Sequence, residues 1–384
     1  MNPALPNKSD MLETRKGGLD ILMSCGRTGG HIKNAVNLAR YLKTNINTIE
    51  VKFVIPEDFK FTHILQRENL KYYFIPVKPT PSKFSFTYIY FALKMLQSFI
   101  RSVIIIDKVN PRLIIGFGSY SSLPVILAAF IKRRRIPIII HEQNVVPGRA
   151  NLFLAKFADR VAVSFKETER YFDNKSYFTG NPIREDLCDL SKIEASKFLE
   201  LDIDKFNILI TGGSQGSEFI NNLMIEVISS LPVKFKKKIQ IIHLTGMRYY
   251  ASVKDKYHEI NFEQVKIYGF LEEIEYALAA SDIIISRAGA MTISEIAAFG
   301  KPAILIPYPY ARAHQRINAE YLKRNKAVIV FNQEDINIDN FKSTLIDLIT
   351  NKHKLDKIAE SIKNLVTPGA NRRFTDLIFK LCKT

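Results

Sequence analysis

The chain has 384 residues, more than one hydrophobic core usually holds, which predicts two domains of roughly 150 to 200 residues each. Hydrophobic residues make up 47% of it and charged residues 24%, as in a folded globular protein, so an intrinsically disordered chain is excluded. The excess of 55 Lys and Arg over 38 Asp and Glu gives a net charge of +17 and favours anionic partners: nucleic acid, an anionic membrane surface or phosphorylated substrates.

The N-terminal segment and the cysteines favour a reducing cytoplasm. Residues 1–18 lack the long apolar core of a secretory signal and are expected to be a flexible lead-in. The three cysteines are odd in number and lack the spacing of metal ligands, so we predict neither disulfides nor a metal site. No run of about 20 uncharged apolar residues occurs, so no transmembrane helix is predicted.

Strand-like apolar runs alternate with helix-like segments along the whole chain. In the first half the predicted strands are Ile21–Cys25, Glu50–Ile55, Tyr72–Pro76, Leu113–Gly116, Pro137–His141 and Arg160–Ser164. In the second half they are Asn207–Thr211, Gln240–Leu244, Val265–Tyr268, Ile283–Ser286, Ala303–Pro307 and Ala327–Phe331. This rhythm predicts an α/β protein with two doubly wound parallel sheets, each Rossmann-like.

Two glycine-rich turns, Gly26–His31 and Gly212–Gly216, each follow a predicted strand and precede a helix. The first N–H groups of such a helix are unpaired and carry positive dipole, so each turn suits an anion. Neither turn has the spacing of a dinucleotide fingerprint or of a P-loop, which disfavours NAD and ATP enzymes. Since ligands of open α/β sheets lie beyond the carboxyl ends of the strands, the two domains are expected to share one cleft.

The segment Gly180–Arg184 combines a helix-stopping glycine with an X-Pro step and indicates the connection between domains. We therefore expect the first domain at 19–185 and the second at 186–384, with the packing of the final helix against the first domain left open.

Two apolar segments of the first domain carry cations, Phe84–Ile106 and Pro124–Ile131. They predict a surface that lies on an anionic bilayer, and ordinary packed helices are the alternative. The residues predicted to contact the membrane are Phe84, Phe91, Phe99, Arg133, Arg134 and Arg135.

Seven motifs carry a resemblance that covers most of residues 20–325. They are Gly26–His31, Gly116–Tyr120, His141–Asn144, Gly180–Arg184, Gly212–Gly216, Ser286–Glu295 and His314–Ala319. In this order they resemble the MurG family of bacterial N-acetylglucosaminyltransferases, which are GT-B glycosyltransferases. The resemblance implies a GT-B fold, with two Rossmann-like domains facing a deep cleft. It also implies inverting transfer of GlcNAc from UDP-GlcNAc to the 4-hydroxyl of MurNAc in lipid I, which forms lipid II for peptidoglycan.

The same resemblance implies that the second domain binds the donor UDP-GlcNAc, which is a substrate, and that no cofactor is required. Ser214 matches a position that contacts the donor phosphates, Glu295 the glutamate that binds the ribose hydroxyls, and Gln315 a contact to GlcNAc. A carboxylate suits a vicinal diol because it accepts two hydrogen bonds. The other donor-binding candidates are Thr28, Gly29, Gly30, Asn144, Arg184, Gln215, Leu271, Ala290, Met291 and Thr292.

On the acceptor side the resemblance implies that the first domain binds lipid I and associates with the membrane. His31 is the candidate general base, because an imidazole titrates near physiological pH. Hydrogen bonding to the acceptor diphosphate and a packed structural role are its alternatives. The acceptor-binding candidates are His31, Gly118, Ser119, Tyr120 and Asn144.

The chain departs from the family pattern at a few of the matched positions. The family usually has glycine at Arg27, proline at Asn34 and a further glycine at Ser119. Arg312 and Ala313 replace the acidic and amide residues that often precede His314. Arg27 is bulky where a phosphate would approach, although its charge could itself grip a diphosphate.

The implied partners are UDP-GlcNAc, lipid I and an anionic membrane surface, with other cell-wall synthesis proteins as further candidates. The implied location is peripheral, at the cytoplasmic face of the bacterial inner membrane. Nucleic acid is disfavoured because no recognition module is evident. Two alternatives stay open: a related GT-B enzyme with another lipid acceptor, and a non-catalytic nucleotide-sugar-binding membrane scaffold.

Overall fold

The computed structural model describes residues 18–27, 29–79, 87–132, 136–310, 314–365 and 369–382. Several positions with a predicted role lie outside these residues: 1–17, Thr28, Phe84, Arg133, Arg134, Arg135 and Arg312. The chain divides into two compact units. The first comprises Met1–Glu142, Pro147–Pro182 and Asn371–Thr384, and the second comprises Gln143–Val146 and Ile183–Ala370.

The first unit is built on a parallel sheet that has seven strands within the described residues. These are β1 (Leu19–Ser24), β2 (Ile49–Pro56), β3 (Lys71–Ile75), β4 (Leu113–Gly116), β5 (Ile138–Glu142), β6 (Arg160–Val163) and β7 (Ser176–Phe178). Their order is β3-β2-β1-β4-β5-β6-β7, and all neighbours are parallel. The winding direction reverses between β1 and β4, which makes the sheet doubly wound.

Helices cover both faces of this sheet. They are α1 (Gly29–Asn45), α2 (Thr62–Arg67), α3 (Thr87–Val109), α4 (Leu123–Ile131) and α5 (Arg149–Leu154), with 3-10 turns at Tyr120–Ser122, Lys166–Tyr171 and Asp173–Lys175. Successive residues of β1 enter different cores: Ile21 and Met23 pack in one, and Leu22 in the other. A strand covered on both faces is apolar throughout, which explains why β1 reads as an unbroken apolar run.

The second unit repeats this plan with six parallel strands among the described residues, in the order β10-β9-β8-β11-β12-β13. The strands are β8 (Phe206–Thr211), β9 (Ile239–Leu244), β10 (Val265–Tyr268), β11 (Ile283–Ser286), β12 (Ala303–Leu305) and β13 (Ile329–Val330). The helices are α6 (Lys192–Phe198), α7 (Glu218–Ser230), α8 (Val233–Lys236), α9 (Tyr250–Glu259), α10 (Ile274–Ala280), α11 (Ala290–Ala298), α12 (His314–Arg324), α13 (Ile338–Thr350) and α14 (Lys352–Leu365). Further 3-10 turns lie at Glu185–Leu187, Met247–Tyr249 and Gln333–Asp335.

The C-terminal helix α15 (Ala370–Cys382) packs into the core of the first unit. Phe374, Leu377 and Ile378 are fully buried there, and the Phe374 ring stacks on Phe117 at a centroid distance of 6.1 Å. The first unit is therefore completed by the last described residues of the chain.

The predicted fold class is confirmed: both units are Rossmann-like and built on parallel sheets. All the strands named from the sequence are present, with ends shifted by a residue or two. The sequence pattern does not predict β7, whose three residues are all half-buried.

Candidate active site

In the first unit the strands β1 and β4 end side by side, because Ser24 pairs with Gly116. The turns that follow them therefore start at the same edge of the sheet. His31 lies in the first turn of α1, with its ring against both turns. A Cβ on Gly26 would lie 2.7 Å from His31 Nδ1, and a Cβ on Gly118 would lie 3.3 Å from Nε2. Glycine at these two positions leaves room for the imidazole.

Ser119 and Asn151 line the same space as His31. A Cβ on Gly26 would also meet Ser119 Cβ at 2.6 Å, and one on Gly118 would meet Asn151 Nδ2 at 3.3 Å. The structure thus brings together three predicted acceptor residues, His31, Gly118 and Ser119. Ser119 has φ +71° and ψ 154°, a backbone conformation that favours glycine, which accounts for glycine at this position in the family pattern.

Burial lowers the pKa of His31 to about 4. It lowers the pKa of His141 to about 3, with a further lowering from the nearby His31. Both imidazoles are therefore neutral at pH 7. A neutral imidazole can accept a proton, whereas it carries no positive charge with which to hold a diphosphate.

His141 belongs to a buried polar network behind this site. Ser164 Oγ lies 3.0 Å from His141 Nε2 and 2.8 Å from Asn181 Oδ1. Asn34 Nδ2 donates to the same Asn181 oxygen at 3.1 Å. Asn34 stands where the family pattern has proline, and its amide here fastens α1 to the residue after Gly180.

Arg27 and Tyr120, in the turns after β1 and β4, are hydrogen-bonded to each other. Arg27 Nη1 donates to the Tyr120 hydroxyl at 3.2 Å, and the Arg27 guanidinium forms an ion pair with Asp58. The bulk that Arg27 adds at a glycine position is thus fixed between these two partners. The predicted acceptor residue Tyr120 is half-buried and bonded to it.

In the second unit the Gly212–Gly216 turn follows β8 and leads into α7. A Cβ on Gly212 would lie 2.2 Å from Ser217 N, and one on Gly216 would lie 2.0 Å from Thr245 O, so glycine is required at both positions. Ser217 caps α7, and its hydroxyl accepts from the Ile220 N–H. The predicted phosphate contacts Ser214 and Gln215 are exposed on this turn, at the positive end of the helix.

The other predicted donor residues follow the remaining strands of the second sheet. Gln315 is the second residue of α12, and its Oε1 accepts a hydrogen bond from the Tyr308 N–H at 3.0 Å. Leu271 follows β10 and is half-buried, Glu295 and Thr292 are half-buried on α11, and Ala290 and Met291 are buried there. Within the described residues, no group of three or more His, Cys, Asp and Glu could hold a metal ion.

Four predicted donor residues have other surroundings. Asn144 lies in the second unit, where its Oδ1 accepts from Asn318 Nδ2 at 3.2 Å. Arg184 forms a two-point ion pair with Asp186. Gly29 and Gly30 belong to the first unit, at the start of α1 beside His31.

Exposed apolar side chains of the first unit lie along α3 and also at the end of α4, where Phe130 and Ile131 are 56% and 62% exposed. The large aliphatic side chains exposed on α3 are Ile89, Leu93, Leu96, Ile100 and Ile104, each 53 to 61% exposed. We call these five residues the α3 stripe. The predicted membrane residue Phe99 instead packs against the core, and Phe91 is half-buried.

The helix that carries the α3 stripe also has the length of a membrane span. In the described part of the chain, Tyr88–Val109 is the one helix whose length and composition would allow it to cross a bilayer, with a mean hydropathy of 1.6 and 22% of the apolar window buried. The sequence pattern predicts no such helix, because Lys94 and Arg101 interrupt the apolar run. The helix packs on α4 and β3 through its other face.

Four site residues are missed by the sequence analysis: Asn151, Asn181, Arg287 and Asn318. Asn181, Arg287 and Asn318 lie inside the matched motifs, and this position could have indicated a role in the site. Asn151 lies outside them, and only its position shortly after His141–Asn144 could have indicated it.

The comparisons with known proteins cover both units. Residues 21–163 match the glycosyltransferase family 28 N-terminal domain, and residues 207–374 match the family 28 C-terminal domain. The UDP-N-acetylglucosamine–N-acetylmuramyl-(pentapeptide) pyrophosphoryl-undecaprenol N-acetylglucosamine transferase of Acetivibrio thermocellus is 34% identical, over 95% of this chain and 99% of its own. The transferase of the same name from Halothermothrix orenii is 38% identical, over 94% and 98%.

Among solved structures, Acinetobacter baumannii MurG superimposes with a TM-score of 0.74 at 25% identity, covering 94% of this chain and 99% of its own. The resemblance read from the seven motifs is thereby confirmed. The chain belongs to the family of UDP-N-acetylglucosamine–N-acetylmuramyl-(pentapeptide) pyrophosphoryl-undecaprenol N-acetylglucosamine transferases.

Proposed function

We propose that this chain moves GlcNAc from UDP-GlcNAc to the 4-hydroxyl of MurNAc in lipid I, with inversion, and so forms lipid II. Its relatives are named as transferases of N-acetylglucosamine that act on N-acetylmuramyl-(pentapeptide) pyrophosphoryl-undecaprenol, and they match along nearly the whole chain. The observation that carries the proposal is the neutral His31 imidazole, set among glycines at the edge of the first sheet. That position puts a group able to take a proton at the edge of the sheet where ligands of open α/β sheets bind.

In the proposed reaction the acceptor oxygen forms a bond to the anomeric carbon of GlcNAc as the bond from that carbon to UDP breaks. The hydroxyl proton passes to His31, and the electron pair of the broken bond leaves with UDP. The charge that grows on the diphosphate is stabilised by the N–H groups of the Gly212–Gly216 turn and the start of α7. In this proposal the first unit supplies the base and the second unit holds the donor diphosphate.

The donor contacts follow the same division. Ser214 and Gln215 face the diphosphate, Glu295 binds the ribose hydroxyls, and Gln315 binds the GlcNAc hydroxyls. Leu271 offers its backbone to the uracil, and Ala290, Met291 and Thr292 line the start of α11. Gly118, Ser119, Tyr120 and Asn144 contact the acceptor.

The direct test is release of UDP from UDP-GlcNAc, measured with and without a lipid I analogue. We expect UDP release to depend on the analogue and a disaccharide product of inverted configuration to form with it. Diacylglycerol, offered as the acceptor in a parallel reaction, should give no UDP release. Equal release with diacylglycerol would indicate a glycosyltransferase for another lipid, and no release with either acceptor would indicate a non-catalytic binding protein.

We further propose that the α3 stripe docks the protein on the cytoplasmic face of the inner membrane. The stripe is apolar, and Arg101 and Lys94 lie on the same helix. Apolar insertion together with cations near an anionic leaflet gives reversible binding, with each cation contributing about 1 kcal/mol. A lipid-linked acceptor would then reach the first unit without leaving the bilayer.

The change Leu93→Ser with Ile100→Ser should lower binding to anionic vesicles while UDP-GlcNAc affinity stays near wild type. Both side chains are exposed, at 61% and 53%, so their loss should leave the core intact. Phe91 and Phe99 are less suitable, because substitution of a packed residue would also disturb the fold. Co-sedimentation with phosphatidylglycerol vesicles at low and high salt provides the measurement.

The matched control is Ile193→Ser with Val233→Ser, which removes two equally exposed apolar side chains from the second unit. Vesicle binding of this control should equal that of the wild type. If the stripe variant binds vesicles as well as the control does, α3 is an ordinary surface helix and the docking proposal is wrong.

A further inference from the structure

Arg287 is a buried cation at the carboxyl end of the second sheet. Arg287 is the first residue after β11 and is only 7% exposed. Burial lowers the pKa of Arg287 to about 10, so the guanidinium stays charged at pH 7. Its contacts within the described residues are to neutral groups, and none of them is a carboxylate. A buried cation without a counter-ion is costly and calls for an explanation.

The hydrogen bonds of Arg287 connect two segments that are far apart in sequence. Its Nη2 donates to Ser217 Oγ at 2.8 Å, and its Nη1 donates to Ile306 O at 3.1 Å and Pro307 O at 3.3 Å. Ser217 caps the helix that follows the Gly212–Gly216 turn. The guanidinium thus connects the residue after the Gly212–Gly216 turn to the segment that follows β12.

The second segment leads directly to Gln315. The guanidinium lies 5.4 Å from the centre of the Tyr308 ring, in a cation–π contact. The N–H of the same Tyr308 donates to Gln315 Oε1 at 3.0 Å, which fixes the orientation of that amide. The Arg287 side chain therefore contacts both Ser217, at the end of the Gly212–Gly216 turn, and the segment whose Tyr308 bonds to Gln315.

We infer that Arg287 is a positioning residue that sets the Gly212–Gly216 turn and Gln315 at the spacing required by the diphosphate and the sugar of one nucleotide-sugar donor. This inference rests on the donor roles proposed above. Arginine suits the task because its planar fork reaches several acceptors at once in fixed directions. A lysine would keep the charge but could not hold the three oxygens together.

The test compares Arg287→Lys with the wild type in binding to UDP and to UDP-GlcNAc by titration calorimetry. UDP lacks the sugar, so the ratio of the two dissociation constants reports the contribution of the GlcNAc contacts. Gln315→Ala should reduce the preference for UDP-GlcNAc by about 3- to 10-fold, the loss of one or two neutral hydrogen bonds. Arg287→Lys should reduce it by a similar factor although Gln315 is still present.

The double variant Arg287→Lys with Gln315→Ala distinguishes positioning from a separate contribution. If Arg287 acts through Gln315, the double variant should lose little more preference than either single variant, so the two effects are not additive. Two independent losses that multiply, or an unchanged preference in Arg287→Lys, would overturn the inference. An unchanged preference in Gln315→Ala would overturn the proposed donor role itself, and the two failures are thus distinguishable.

Lys301→Met is the matched control, because Lys301 is another largely buried cation of the same unit. Its Nζ donates to Ala279 O at 2.7 Å and Ser281 O at 2.9 Å, neither of which belongs to a proposed donor segment. We expect a lower melting temperature for this variant with the donor preference of the wild type. Should Arg287→Lys fail to fold, Ser217→Ala removes one of the oxygens that Arg287 bonds and should shift the preference in the same direction, and no shift would overturn the inference.

Discussion

Replacing His31 by alanine is expected to lower kcat by about 10²- to 10⁴-fold, the usual loss when a general base is removed, while UDP-GlcNAc affinity stays near wild type. The proposed donor contacts to phosphate, ribose and sugar lie in the second unit, so the loss of an imidazole from α1 should leave them in place. Steady-state kinetics with a lipid I analogue, combined with calorimetry of donor binding, separates the two quantities.

The pH dependence of kcat/KM, in the wild type and in His31→Ala, follows from the direction in which the pKa of His31 is shifted. A base acts in its unprotonated form, and burial lowers the pKa of His31 to about 4. In the wild type, kcat/KM should therefore fall only as the pH approaches 4, and His31→Ala should lack that fall. His31→Gln keeps a hydrogen-bonding side chain but cannot take the proton, so it serves as the control. A glutamine variant with near-normal kcat would show that His31 binds the acceptor diphosphate instead.

The change Glu295→Ala is expected to weaken UDP-GlcNAc binding by about 1.5 to 3 kcal/mol, the value of hydrogen bonds to a charged group, or roughly 10- to 150-fold in affinity. Glu295 lies on α11, shortly after the turn that follows β11, and is half-buried. Its carboxylate can accept from both hydroxyls of a ribose at once. Titration calorimetry with UDP-GlcNAc measures the loss, and circular dichroism checks that the fold is retained.

Glu226→Ala provides the comparison for Glu295→Ala, since Glu226 is an exposed glutamate on a helix of the same unit. Its removal makes the same change in net charge and should leave the donor affinity unchanged. Equal affinities of the two variants would place the ribose contact on another residue.

The strands and the two glycine turns could be predicted from the sequence because local patterns determine them. A strand buried on both faces requires a continuous apolar run, as in Leu113–Gly116, and the turn at Gly212–Gly216 admits no side chain at two of its positions. The strand β7 lacks such a pattern, because it is only three residues long and half-buried.

The orientation of α3 could not be predicted, because apolar residues occur nearly all around the helix. The sequence favours Phe99 for the exposed face, yet the face toward the core is marked by two small polar residues. Ser98 and Ser102 are fully buried, and each hydroxyl donates to the backbone oxygen four residues earlier at 2.7 Å. A serine that bonds its own helix in this way can lie against the core without an unpaired group. Hydrophobicity counts treat such positions as exposed.

The contacts between residues of the candidate site that are far apart in sequence could not be predicted either. Arg287 meets Ser217 across 70 residues of sequence and Ile306 across 19. Motif spacing places each residue after its own strand but does not say which side chains of different turns bond to each other. The proximity of His31 to Gly118 is likewise a property of the pairing between β1 and β4.

The position of α15 in the first core has a consequence for synthesis on the ribosome. The first unit lacks Phe374, Leu377 and Ile378 from its core until residues beyond Asn371 have been made, whereas its earlier part ends at Pro182. At about 5 to 20 residues per second, the intervening chain takes roughly 10 to 40 s to emerge. During that time the nascent first unit exposes the apolar surface that α15 will cover, so its core can close only after the second unit has been synthesised.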